Sequence, residues 1–221
     1  MEMTEKQQQR LAAFDAFLEV FTSRYKRGWM TIRCLEVFTR VTTRPGQTSL
    51  EIAQSMETQP HLIYNDLAQL GRMNASGFPG HFLIEERRLN HVNRIEHWPT
   101  NKGQGLWAGP IIPERFRSLA DVLRCIRAAT SPVMPVSTAR AFVAVAGEEG
   151  RILSEYAARL DFSRAKASRH YIALADRIGP RTGGRKLLAA RENPDNRCQK
   201  EIRLAAHGEQ LRDELLAILD G

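Results

Sequence analysis

The sequence predicts a mainly α chain with small β-hairpins, laid out as two tandem winged helix-turn-helix domains plus N- and C-terminal packing helices. Three observations carry this expectation. Apolar residues recur at three- and four-residue steps through most of the chain, the period of one helical face. Two segments, residues 81–98 and 187–208, interrupt that period and read as strand, turn, strand. Shifting the chain by 104 residues lays Ile52, Ala53 and Met56 over Tyr156, Ala157 and Leu160, and Ile63, Leu67 and Leu70 over Ala167, Tyr171 and Leu174. The halves share one plan.

Taken in order, Leu11, Phe14, Leu18, Phe21 and Tyr25 form a stripe on a first helix that Thr4 caps and Gly28 interrupts. A second helix, from about Met30 to Thr42, buries Ile32, Leu35 and Phe38 and stops at Arg44-Pro45-Gly46. Ser49 caps a short third helix carrying Leu50, Ile52, Ala53 and Met56. Thr58 and Pro60 open a fourth, in which Ile63, Leu67 and Leu70 share a face. The sequences HFLIEERR and VNRIEHW then bracket Leu89-Asn90-His91 as a hairpin. NKGQGLWAGPIIP reads as linker, followed by a connecting helix over 114–129 with Phe116, Leu119, Val122, Leu123 and Ile126 inward.

The second half repeats the order. Ser137 caps a helix over 138–145, and a short helix buries Tyr156, Ala157 and Leu160. A longer helix then buries Ala167, Tyr171, Leu174 and Ile178 and leaves Arg164, Lys166, Arg169, His170, Ala173 and Arg177 outward. A basic hairpin follows, and a last helix over 209–219 carries Leu211, Leu215, Leu216 and Leu219 for packing on the first helix. This divides the chain into residues 1–110, a first winged helix-turn-helix domain with its N-terminal helix; 111–134, a connecting helix and linker; and 135–221, the second domain and C-terminal helix. Trp29, Trp98 and Trp107 are expected to seal the junction with the connecting helix.

Composition narrows the function. A formal charge of +7 over 221 residues, with a pI near 9.7, fits a nucleic-acid partner. The apolar runs fall short of the ~20 residues that span a bilayer, and the polar N-terminus lacks the apolar core of a signal peptide, so a cytoplasmic protein with no membrane partner is expected. Cys34, Cys125 and Cys198 form no C-x-x-C pair, which argues for free thiols rather than a disulfide framework or structural zinc. The six histidines make no zinc motif, and Gly183-Gly184-Arg185-Lys186 lacks the first Gly and the Ser/Thr of a P-loop. Cofactors are expected to be none. No nucleophile motif or carboxylate pair stands out, so the chain reads as non-enzymatic.

A cationic helix beside a cationic hairpin suits a duplex, because phosphate neutralisation supplies affinity while side chains in the major groove supply specificity. The second recognition helix offers Ser163, Arg164, Lys166, Ser168, Arg169 and His170, with Arg164 and Arg169 the base-reading candidates. The second wing offers Arg185, Lys186, Arg191, Arg197 and Lys200. The first copy offers weaker counterparts: Gln59, His61, Tyr64, Asn65, Arg72, Arg87, Arg88 and Arg94.

The second hairpin carries Asn193-Pro194-Asp195-Asn196-Arg197-Cys198 at its tip and Leu204 to Gly208 after its second strand, and in these residues the second half resembles the multiple-antibiotic-resistance-repressor (MarR) family of winged-helix regulators. That family's wing reads Asp-Pro-x-Asp-Arg-Arg, an apolar strand, then Leu-Thr-x-x-Gly; here Asn193-Pro194-Asp195-Asn196-Arg197-Cys198 is followed by Leu204-Ala205-Ala206-His207-Gly208. Pro194, Arg197, Leu204 and Gly208 match, whereas Asn193, Asn196 and Cys198 depart. The resemblance implies that Ser163 caps the recognition helix, that Ser168-Arg169 faces the major groove, and that Arg197 enters the minor groove. The expectation is a sequence-specific double-stranded DNA-binding transcriptional regulator, a repressor by default. The alternatives are a plasmid- or phage-type replication or partition protein, and a protein-interaction scaffold with no DNA target. The repeat implies an intramolecular pseudo-dimer, with a homodimer through the terminal helices as the other assembly.

Overall fold

The computed structural model describes residues 3–24, 30–72, 79–89, 94–107, 118–175, 177–178, 182–183, 185–193 and 199–220. Ten helices and three two-stranded antiparallel pairings occupy them. The first helix, α1 (Glu5–Arg24), precedes α2 (Ile32–Thr43), α3 (Ser49–Ser55), α4 (Pro60–Leu70), the hairpin β1 (Ile84–Leu89) and β2 (Arg94–Pro99), and α5 (Asn101–Trp107). Next come α6 (Leu119–Ala129), α7 (Val136–Gly147), α8 (Leu153–Arg159) and α9 (Arg164–Leu174). A minimal pair, β3 (Arg177–Ile178) and β4 (Thr182–Gly183), leads to the hairpin β5 (Leu188–Glu192) and β6 (Lys200–Leu204), and α10 (Ala206–Asp220) is the last described element.

The repeat extends to the residue level. Helices α2, α3 and α4 and helices α7, α8 and α9 have identical bounds once displaced by 104 positions. Backbone conformations follow: Gly46 and Gly150 take φ of 84° and 90°, Glu57 and Asp161 50° and 53°, and Phe82 and Lys186 58° and 55°. Glu57 and Asp161 are left-handed residues that stop the short helices. Thr58 N donates to Ala53 O (3.0 Å) and Phe162 N to Ala157 O (2.9 Å), satisfying carbonyls that the helix end would otherwise leave open. Beyond the hairpins the displacement becomes 105, and Gly103 and Gly208 then correspond: a Cβ on either would come within 2.2 or 2.0 Å of the Leu83 or Leu187 carbonyl oxygen. Each glycine lets its helix pack directly on the segment leading into the hairpin.

A pseudo-two-fold axis passes between the halves. Ile32 N donates to Met134 O and Val136 N to Met30 O, both at 2.9 Å, and Thr31 bridges Pro135 antiparallel. Each of these bonds becomes the other when the two halves are exchanged. The outer helices cross over this axis: α1 packs on α7 of the other half, and α6, which precedes α7, packs on α2. Phe14, Phe17, Leu18 and Phe21 on α1 and Leu119, Val122, Leu123 and Ile126 on α6 are buried in one continuous apolar core that spans both halves. Helix α10 closes it with Leu211, Leu215, Leu216 and Leu219, bonding α6 through Ser118 Oγ to Ile218 O (3.1 Å) and α1 through Arg10 to Leu219 O and Asp220.

Ion pairs of opposite sense fix the crossed packing. On α2, Glu36 is fully buried and accepts from Arg127 of α6 (2.9 Å) and Arg40 (3.0 Å). The matching position on α7 is Arg140, also buried, which donates to Asp15 and Glu19 of α1 at 3.0 Å each. If α1 packed on α2 instead, its acids would meet Glu36.

Several local expectations are corrected. Thr48, not Ser49, caps α3: its hydroxyl accepts from Glu51 N (3.2 Å) while Glu51 accepts from Thr48 N (2.7 Å), a reciprocal capping box. Gln59 precedes α4 in place of Thr58, with Pro60 at the first turn, and α7 begins at Val136 behind Pro135 rather than behind Ser137. Helix α9 ends at Leu174, so Arg177 and Ile178 belong to a strand, not to its faces. Part of the expected linker, Asn101–Trp107, is helical. The C-terminal helix begins at Ala206 and also packs on α6. Trp98 lies along the first hairpin against Gly46, its indole donating to Glu96 (3.2 Å), rather than against the connecting helix. Tyr25, Gly28, Trp29, Gly77, Asn90, His91, Phe116, Arg197 and Cys198 lie outside the described residues, as does the side chain of Trp107. No described helix is long and apolar enough to cross a membrane.

Candidate nucleic-acid interface

Helix α9 starts where Ser163, in extended backbone, accepts a hydrogen bond from Lys166 N at 3.2 Å, the cap that the resemblance implies. Ala167 and Leu174 are buried, which turns the other side of the helix outward. Arg164, Ala165 and Arg169 are exposed there, and Ser168 is half-buried beside them. Arg169 Nε lies 3.4 Å from Ala165 O, so its guanidinium runs along the helix surface.

Two residues expected on that surface point elsewhere. Lys166 Nζ sits 3.8 Å above the Phe162 ring, and burial, with Arg140 nearby, lowers its pKa. His170 is turned towards α7, its Nδ1 2.9 Å from Thr138 Oγ1 and its ring against Phe162. Burial, reinforced by Lys166 and Arg169, drives its pKa down to about 4, so it is neutral near pH 7. The reason is spacing: residues 166 and 170 are one turn apart on the flank that meets Phe162, while 164, 165, 168 and 169 face out.

The second hairpin flanks this helix. Arg191 and Lys200 are exposed near its outer end, with Arg191 opposite Glu201 and Lys200 opposite Glu192. Arg185 is half-buried and donates to Ala173 O (3.2 Å), tying the loop to α9 rather than standing free; Lys186 is exposed in its left-handed conformation. The tip of this hairpin, with Arg197, is outside the described residues.

In the first half, Gln59 just before α4 and His61, Tyr64 and Asn65 on it are all exposed, and Arg72 is exposed just beyond its end. Of the hairpin arginines, Arg88 is exposed, whereas the other two are held by acids. Arg87 pairs with Glu85 (2.7 Å) and lies over Trp98; Arg94 pairs with Glu51 and Glu96 (3.1 Å each) and so binds the hairpin to α3. A strand rich in Glu leaves these guanidiniums partly neutralised.

Sequence reasoning missed the anchors behind the two outward helices. Asp66 is buried against Arg33 of α2, Nε to Oδ2 at 2.5 Å. Burial raises the Asp66 pKa, and the Arg33 hydrogen bond and charge oppose that rise. The corresponding residues of the second half are His170 and Ser137. Ser137 is far shorter than arginine, and both residues line a cavity of about 700 Å³ between α1, α7 and α9 that also reaches Met30, Phe162 and Arg169. Aligning the halves beyond their apolar positions would have shown Arg33 against Ser137 and Asp66 against His170, the places where the repeat changes chemistry.

Neither a protein-family model, nor a curated protein, nor a solved structure matches the chain.

Proposed function

We propose that the chain is a sequence-specific double-stranded DNA-binding transcriptional regulator built as two winged helix-turn-helix units in one polypeptide, of the MarR-like kind that its second half resembles, acting by occluding a promoter. The observation that carries this reading is the exposed face of α9, where Arg164 and Arg169 stand beside a hairpin that exposes Arg191 and Lys200. Guanidiniums can donate in pairs to guanine, and the flanking cations neutralise phosphates. The net charge of +7 acts in the same direction. The first half supports the reading more modestly, with the polar face of α4, the exposed Arg72 just beyond it, and the exposed Arg88, whose guanidinium is not held by the acids that hold Arg87 and Arg94.

Duplex binding by fluorescence anisotropy tests it. Affinity is expected to fall steeply with salt. Arg164→Ala or Arg169→Ala should cost roughly 1–3 kcal/mol on the preferred duplex and relax specificity, whereas Lys200→Ala should weaken all duplexes alike and lower the salt slope. Equal losses on preferred and random duplex would sink base reading by the two arginines; absence of salt-dependent duplex binding would sink the DNA reading and leave the scaffold alternative. Bound genomic fragments should map to promoters; tandem repeats at a replication origin would favour the replication reading.

A further inference from the structure

The pseudo-two-fold axis makes positions 104 apart equivalent, so their differences can be compared as on the two subunits of a dimer. The reciprocal bonds between Ile32 and Met134 and between Val136 and Met30 place that axis through the base of α2 and α7. Helices α4 and α9, identical in bounds, are related by it. Their outward positions do not match in chemistry. His61 corresponds to Ala165, Tyr64 to Ser168, and Asn65 to Arg169. Asn65 and Arg169 are both exposed, and each directly precedes the residue that anchors its helix to the core, Asp66 or His170.

B-DNA has local two-fold symmetry between its strands, so a protein with an internal dyad sets equivalent side chains against equivalent positions on opposite strands. At such a position a carboxamide, with one acceptor and two donors, matches N7 and N6 of adenine, and a guanidinium, a donor only, matches O6 and N7 of guanine. We infer that the duplex recognised by this chain is an imperfect inverted repeat, spanned by a single chain, in which adenine faces Asn65 in one half-site at the position where guanine faces Arg169 in the other. This rests on the DNA-binding reading above and makes α4 a reader in its own right. Because α4 brings no lysine or arginine to its face, its half-site contributes discrimination, while the α9 half-site carries most of the salt dependence.

The test is selection of duplexes from a random pool by the full chain, followed by sequencing and by stoichiometry on the selected duplex. The expected motif is an inverted repeat with adenine and guanine at one pair of dyad-related positions, bound by one chain. Asn65→Arg should convert the adenine to guanine and make the motif more symmetric, and Arg169→Asn should do the reverse. Each exchange should alter the preference at its own position on the order of 10- to 100-fold. Both residues are exposed, so an unchanged thermal unfolding midpoint confirms that each variant is folded. The same base at both positions, a single half-site as the whole motif, two chains on one repeat, or an Asn65→Arg motif identical to the parent's would overturn the inference while leaving DNA binding intact. Retention of no duplex would overturn the DNA reading itself.

Discussion

Asp66 and His170 hold one position of the repeat and stabilise it by opposite means. Asp66 is a buried carboxyl matched by Arg33, and removing the carboxyl leaves a guanidinium uncompensated in the core. Asp66→Ala should therefore cost about 3–5 kcal/mol in urea unfolding, whereas the double replacement Arg33→Met with Asp66→Leu should recover most of the loss. Recovery of none would mean that the pair contributes by more than cancelling its own burial. His170 is instead buried neutral, with a pKa near 4 in the folded chain against 6.5 when unfolded. The unfolded chain binds its proton first on acidification, so the stability tied to this site is whole above pH 6.5 and is lost as pH falls towards 4. His170→Gln should flatten the decline of the urea midpoint between pH 7 and 5. His81 and His97, whose pKa values burial also lowers, should keep part of that decline. An unaltered decline would show that His170 titrates normally.

At the scale of elements, the glycines in the first turns of α5 and α10, Gly103 and Gly208, and the later glycine of α5 separate close packing from helix propensity. Gly208→Ala would set a methyl 2.0 Å from the Leu187 carbonyl oxygen and should cost about 1–3 kcal/mol or more, and Gly103→Ala the same against Leu83. Gly105, also in α5, has nothing within 4 Å of a built Cβ, so Gly105→Ala should stabilise by roughly 0.5–1 kcal/mol. Thermal unfolding of the three variants checks the order; a destabilising Gly105→Ala would contradict it.

Elements are also where the sequence was most legible. The stripes of α1, α2, α4, α6 and α9 follow from apolar residues at helical spacing, and the breaks in that period mark both hairpins. Ends were less legible, because Thr48 and Ser49 are both good caps and only the reach of Glu51 decides between them. Hidden altogether was the crossing of α1 and α6, since periodicity tells which face of a helix is apolar but not which helix it meets. The pairing of Glu36 with Arg127 and of Arg140 with Asp15 and Glu19 encodes that choice in charge, at positions that a hydrophobic pattern does not weigh. Among the site residues, Arg164, Arg169, Asn65 and Tyr64 were readable as outward by helical spacing. Lys166 and His170 were not, because the flank they share is covered by Phe162 and Thr138 from other elements.

At the scale of the whole molecule, the crossed helices and the single apolar core mean that neither half completes its own interior. The chain should unfold in one cooperative transition with matching calorimetric and van't Hoff enthalpies, and two resolved transitions would contradict this. The same construction gives one polypeptide the two equivalent outward helices that symmetric regulators obtain by dimerising, and frees each helix to differ. Hydroxyl-radical footprinting of a genomic fragment retained by the full chain tests this most directly. The account predicts two protected patches about one helical turn, ~10 bp, apart on one face of the duplex, related by a local dyad and weakened by Arg169→Ala. A single patch, or the absence of any protected patch, would contradict it.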